Sequence, residues 1–268
     1  MVATATLLTA VWLAVTGSVA GGPVARARLA TFARRHDLVV TPANGTQVIL
    51  YLATTRRWRA AGLTAGYVVS VAWALPQQRV HVNFLALFAG WFAGALVAEA
   101  RVVHLAGGAR RAASLVPRRM EDYRSRVVSA LVPASLAVSL AVAAVAVAAG
   151  STPAGALWFA ASLTVVGGVH VIERRVLQRP QPLAPPDQLA ADDAIRSRSL
   201  HVLAAGGATL VLYCVLGQLA ALRPALTGTA GQLVELAAFL GVFAAPALGL
   251  LAASARWPVR RRLGVEPA

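Results

Sequence analysis

An all-α, polytopic membrane bundle of about seven transmembrane helices is the fold this sequence predicts, and three observations predict it. Of 268 residues, 58% are hydrophobic and only 13% charged. The mean hydropathy is +0.66. A soluble domain carries about 25% charged residues, so this chain lacks the polar side chains to cover itself in water. Its apolar residues also run in long stretches without polar alternation, the pattern of spanning helices and not of barrel strands. Finally, the basic residues gather in alternate connections, the distribution that orients a membrane protein.

Seven stretches are candidates to cross a hydrocarbon core of about 30 Å, which takes roughly 20 residues each. They lie at 2–20, 60–75, 82–98, 127–149, 154–172, 200–222 and 233–253, and together form one transmembrane domain. The second and third are the shortest; Trp58, Tyr67 and Trp73 suit interfacial positions near their ends. The first ends in Gly17-Ser18-Val19-Ala20, small residues like those of a cleavage site, but it lacks the basic segment of a signal peptide. Cleavage would leave the arginines from Arg26 to Arg59 outside, against the charge pattern of every later loop. It is therefore expected to be an uncleaved helix with its N-terminus outside.

The connections at 77–81, 150–153 and 223–232 are short and hold only Arg79 and Arg223. The longer ones carry the rest: Arg26, Arg28, Arg34, Arg35, Arg56, Arg57 and Arg59, then seven arginines from Arg101 to Arg126, then Arg174, Arg175, Arg179, Arg196 and Arg198. Arg256, Arg260, Arg261 and Arg262 close the chain. This asymmetry places the long loops and C-terminus in the cytoplasm and the N-terminus outside, in a bacterial inner membrane.

Three details refine the loops. Residues 41–45, Thr-Pro-Ala-Asn-Gly, read as a turn, followed by the apolar run Val48–Ala53, too short to span; residues 46–57 are expected to form a helix lying in the interface, arginines toward anionic headgroups. Asn44-Gly45-Thr46 matches a glycosylation sequon without significance in a cytoplasmic loop. The prolines at 180, 182, 185 and 186 form an extended linker, with Asp192-Asp193 as the expected start of the next helix.

A hairpin repeat is a further expectation, three helical hairpins after a first helix. Each of the last three helix pairs begins after an arginine–any–arginine step: Arg57-Trp58-Arg59, Arg124-Ser125-Arg126 and Arg196-Ser197-Arg198. Each returns at Glu99-Ala100-Arg101, Glu173-Arg174-Arg175 or Ser254-Ala255-Arg256. Duplication explains this, and so does the arginine that any positive-inside hairpin carries at its inner ends. Asp122 with Arg126, and Asp192 with Arg196, are four apart and suited to pair along one helix face.

Candidate chemistry is sparse. All 25 basic residues are arginine and the net charge is +15. A high-GC coding bias explains the missing lysine, and so does selection for bidentate phosphate binding. In short loops between spans such charge reads as a topology signal and not as nucleic-acid binding. Cys214 is the single cysteine, which excludes a disulfide framework. His170 and Glu173, one turn apart, form the candidate polar pair, extended in a proton or metal reading by His104 or His201. Glu99 and Glu173 sit at inner helix ends, about one turn from water. Gly62-x-x-x-Gly66 and Gly90-x-x-x-Gly94 allow close helix packing, within the monomer or at a dimer seam. Pro133 and Pro246, with Gly167-Gly168 and Gly206-Gly207, mark possible bends. No phosphate loop, metalloprotease motif, nucleophile elbow or paired-cysteine site occurs, so no catalytic residue, metal or cofactor is assigned.

Three readings follow. The first is a non-enzymatic membrane component, a permease-like subunit or anchor. Its basic cytoplasmic face would meet a protein partner or anionic lipid through Arg56, Arg57, Arg59, Arg118, Arg119, Arg124, Arg126, Arg196, Arg198, Arg260, Arg261 and Arg262. The second is a self-contained transporter or channel. The third is an intramembrane lipid-modifying enzyme built on His170 and Glu173.

Overall fold

The computed structural model describes residues 2–75, 83–105, 111–112, 118–150, 153–182 and 184–255, without the side chains of 2–8, 103–105, 111–112 and 181–182. Arg79, Arg110, Arg256, Arg260, Arg261, Arg262 and the His104 side chain therefore lie outside the described residues. The fold is helical: α1 Val2–Gly21, α2 Arg26–His36, α3 Pro42–Ala74, α4 Phe84–Leu105, a one-turn α5 Met120–Tyr123, α6 Arg126–Ala148, α7 Pro153–Gln178, α8 Pro186–Leu222 and α9 Gly228–Ala253. Extended backbone pairs, among the described residues, only in a two-residue antiparallel bridge of Arg111–Ala112 with Gln181–Pro182.

Five helical segments are long and apolar enough to cross a membrane: Phe84–Val102, Arg126–Ala148, Pro153–Gln178, Pro186–Ala225 and Gly228–Ala253. The chain is thus a multi-pass membrane protein by helix length and composition. Within α1, the apolar stretch Thr9–Gly21 is shorter. The apolar end of α3 begins only after Arg59.

Several boundaries differ from the sequence expectation, for local reasons. The segment 41–45 is a helix start and not a turn. Thr41 is the N-cap and Pro42 occupies the first helical turn, where its missing N–H costs nothing. The Asn44 Oδ1 accepts from Thr41 N at 2.9 Å. Asn44 is fully buried and its Nδ2 donates to Val39 O at 2.9 Å and Asp187 O at 3.2 Å, so the sequon asparagine is a structural tie. No proline follows before residue 74, and α3 continues for 33 residues, about 50 Å at 1.5 Å per residue. The helix expected over 46–57 and the span expected at 60–75 are one helix.

Likewise α8 begins at Pro186, so Asp192 and Asp193 lie in its second turn and do not open it. Residues 188–195 are mostly good helix formers, and nothing stops propagation back to the proline. Residues 26–36, expected as loop, form the basic helix α2. Leu29 and Phe32 fall at helical spacing and turn inward, Phe32 being 5% exposed. Arg34, Arg35 and His36 occupy its last turn, where positive charge suits the helix dipole. Asp37 ends it in the left-handed region at φ 52°.

The chain divides into two compact units. The first comprises Met1–Tyr123 and Val176–Ser199, and its core gathers Phe32, Leu38, Val48, Tyr51, Val102, Ala191, Ala194 and Ile195. Here α3 and α4 meet backbone to backbone through both glycine pairs. A Cβ at Gly62 would overlap the Gly90 carbonyl oxygen and lie 2.8 Å from Gly94 N; one at Gly90 would overlap Gly62 O and lie 2.8 Å from Gly66 N. Both motifs thus pack against each other within one chain. The second unit, Arg124–Arg175 and Leu200–Ala255, also packs through small residues: a Cβ at Gly207 would reach Val169 Cγ2 at 2.6 Å, and one at Gly241 would reach Leu216 Cδ2 at 2.6 Å. In its interior Ser139 donates to Ser162 Oγ at 3.0 Å and Gln218 Nε2 lies 2.9 Å from Ser139 Oγ, the interhelical hydrogen bonding that apolar surroundings favour. Pro133 and Pro246 sit inside uninterrupted helices.

Substituting Gly62 by valine should lower the thermal midpoint in detergent by at least about 3 °C, since overpacking against backbone costs on the order of 1–3 kcal/mol. Gly167→Val, with no atom within 4 Å of its Cβ position, should change it far less. Equal midpoints for the two variants would contradict the α3–α4 contact.

Candidate functional site

The scarcity of carboxylates dictates how arginines can be buried: a guanidinium removed from water needs oxygens for its donors and a partner for its charge. Arg196 is the extreme case, with no exposed surface. Its Nη2 donates to Asp192 Oδ2 at 2.9 Å, the i, i+4 pair that the spacing suggests. Its Nη1 donates to Val176 O and Leu177 O, both at 2.8 Å, capping the last carbonyls of α7. Arg179 takes the other Asp192 oxygen, and its own carbonyl accepts from Arg196 and from Arg118 Nη1 at 3.2 Å. The Tyr123 ring lies 5.8 Å from the Arg196 guanidinium. Tyr123 donates to Asp193 Oδ1 at 3.1 Å; burial, and then the Asp193 charge, push its phenol above the ordinary tyrosine value.

Glu173 is buried and paired with Arg124, whose Nε also reaches Ser129 Oγ at 3.1 Å. The expected partner, His170, is exposed instead. Residues 169 to 173 span just over one turn, and the face carrying Val169 and Glu173 is the buried one. Glu99 is also buried, at 2% exposure, and not near water as expected. It accepts from Ser199 Oγ at 2.6 Å and Tyr51 OH at 3.3 Å, with Arg59 Nη2 at 4.0 Å. Burial, and then the Glu99 charge, push the Tyr51 phenol up, so it stays a neutral donor. In two of the three expected hairpins, then, an arginine of the entering step faces the glutamate of the returning one.

Above Tyr51 and Arg59 opens a cavity of about 770 Å³, bounded by α1, α2, α3, Trp91 and Arg198. That size falls in the range of ligand pockets. One part of its wall is cationic, with Arg28, Arg35, Arg56, Arg59 and Arg198; another is apolar, with Trp12, Val15, Val19 and Leu63. No carboxylate lines it among the described residues. Arg56 is committed to the link between α1 and α2, donating to Pro23 O at 3.0 Å and also to Gly22 O. Arg59 is held from two sides, by Glu99 and by the Trp91 ring 5.3 Å away, a cation–π contact. Its Nε is buried without a hydrogen-bond partner among the described residues. Arg28 and Arg35 make no ion pair with a described residue, and Arg35 and Arg59 are near enough to repel the Arg198 charge.

Of the arginines expected to meet lipid or a partner, Arg56, Arg59 and Arg198 thus converge on the cavity. Arg57, Arg119 and Arg126 are exposed, Arg118 is half-buried, and Arg124 and Arg196 are turned inward and paired with the buried carboxylates Glu173 and Asp192. Arg28, Arg35, His36 and Tyr51 escaped the sequence reading; the Leu29–Phe32 spacing within the basic segment is the signal that reveals α2. Among the described residues no three His, Cys, Asp or Glu side chains gather as a metal site. No protein-family model, curated protein or solved structure matches the chain.

Asp192→Ala strands both Arg179 and Arg196 in the interior and should destabilise the protein by about 3–5 kcal/mol. Glu121→Ala, removing an exposed partner of Arg119, should have little effect. Detergent melting curves distinguish them, and a harmless Asp192→Ala would mean that Arg196 is not held as described.

Proposed function

We propose that this chain is a seven-span protein of the bacterial inner membrane, N-terminus outside and C-terminus in the cytoplasm, that works by binding and not by catalysis. It acts as a permease-like subunit or membrane anchor whose arginine-rich cytoplasmic face engages anionic lipid headgroups. What supports the count is that α1, with its apolar stretch Thr9–Gly21, and the apolar end of α3 after Arg59 are two further candidate crossings beside the five longer helices. Supporting the direction, every arginine except Arg79 and Arg223 falls on the side that the odd count makes cytoplasmic.

The observation that carries the binding reading is the cavity, where five arginines converge without a lining carboxylate among the described residues. Guanidinium groups pair with phosphate through two parallel hydrogen bonds, which lysine cannot reproduce. Like charges held together at partial burial repel, and an anion relieves the repulsion.

Two measurements test this. In a Cys214→Ser background, a cysteine at Thr227 should react with a membrane-impermeant maleimide on intact cells, while one at Arg57 reacts only after lysis; the reverse pattern would invert the topology. Protein purified in mild detergent and mixed with vesicle lipids should retain phosphatidylglycerol over phosphatidylcholine, as read by native mass spectrometry. Equal retention of the two lipids would remove the basis for the headgroup reading.

A further inference from the structure

The cavity has two chemically distinct walls, and a free anion would use only one of them. Two of its arginines have neighbours that position them: Arg59 sits between Glu99 and the Trp91 ring, and Arg56 bonds to carbonyls of the link between α1 and α2. The apolar part belongs to α1 and α3, where Val15 and Val19 remain 56% and 53% exposed on a helix otherwise fit for lipid. In a protein surrounded by membrane, such a pair of walls matches a molecule with a phosphate at one end and a hydrocarbon chain at the other.

We infer that the cavity between α1, α2 and α3 is a discrete site for one anionic membrane lipid, its phosphate held by Arg28, Arg35, Arg59 and Arg198 and an acyl chain lying along Val15, Val19 and Leu63. This deepens the headgroup reading above and rests on it. It differs in placing the lipid inside one cavity and in requiring the chain as well as the phosphate. Arg59 lines the cavity with its Nε lacking a hydrogen-bond partner among the described residues, and Glu99, 4.0 Å from its Nη2, is not part of the cavity lining.

The test uses the full chain in detergent with lysophosphatidylglycerol as the probe, and measures binding by native mass spectrometry and calorimetry. One molecule should bind per chain. Arg28→Gln combined with Arg59→Gln should weaken binding by at least about tenfold, the loss of one or more charge-assisted hydrogen bonds. Ala60→Trp, which fills the cavity, should weaken it similarly with the arginines intact; where that variant does not fold, Thr31→Trp on α2 makes the same test. Glycerol 3-phosphate and inorganic phosphate should not compete at equal concentration, and lysophosphatidylcholine should bind more weakly.

Competition by either soluble phosphate as effective as the lipid would overturn the requirement for a chain. Undiminished binding in the filled-cavity variant, with loss instead in Arg57→Gln/Arg119→Gln/Arg126→Gln, would move the lipid to the surface and overturn the discrete site while leaving the headgroup reading intact. Absence of any preference for anionic lipid in the unmodified protein would overturn both.

Discussion

A guanidinium cannot leave water unless its donors meet oxygens and its charge meets a carboxylate. With 25 arginines and ten acidic residues, that condition shapes this protein more than any other. Arg196 meets it at both terminal nitrogens by drawing the last carbonyls of α7, the Arg179 carbonyl and Asp192 to one point. That arrangement needs α8 to be helical well before its apolar span begins, which is why the helix starts at Pro186 and why Asp192 lies within it. The linker after α7 then has little freedom, since Arg179 and Arg196 share one carboxylate.

The same condition recurs wherever a carboxylate is buried. Glu173 meets Arg124, and Glu99 faces Arg59. Each pairs the entry of one helix with the return of its neighbour, so charge neutralisation and helix pairing are one event. The third expected hairpin has Ser254 at the corresponding place and no glutamate, and its entering arginine, Arg196, turns to Asp192 on its own helix. Among the described residues, Arg57 and Arg126 outside these pairs lie on exposed helix faces, while Arg28, Arg35 and Arg198 line the cavity. Glu99 couples the two systems, because the contact that neutralises its burial also fixes Arg59 at the cavity wall.

Close helix approach makes this geometry possible. With glycine at 62, 66, 90 and 94, α3 and α4 touch along their backbones, and the residues flanking the contact come within reach across it. Arg59 lies over Trp91 of α4, and Arg101 lies over Trp58 of α3, each 5.3 Å from the ring. Larger residues at the glycine positions would separate the helices and with them both cation–π pairs. The cavity is thus framed on one side by a rigid helix pair and on the other by α1 and α2.

By itself the sequence determined the solvent and the secondary structure: too few polar residues for water, apolar runs of spanning length, and helices ended by Pro- and Gly-rich connections. It also contained the local pair Asp192–Arg196, because i, i+4 spacing on a helix is a property of the chain alone. The start of α3 at Thr41-Pro42 and the helix α2 were legible too, through a cap followed by proline and through Leu29–Phe32, though turn and loop are the more obvious readings of those segments. What only the tertiary structure decided is which partner each charge takes. Glu173 faces Arg124 and not the nearer His170, and Tyr51 and Arg59 of α3 gather on Glu99 together with Ser199 of the distant α8. Such choices depend on which helix faces meet, and helix faces meet through packing, which no spacing within a single segment specifies. The cavity follows from those choices: its arginines lie far apart in sequence, and only the folding of α2 and α8 against α3 brings them to one wall.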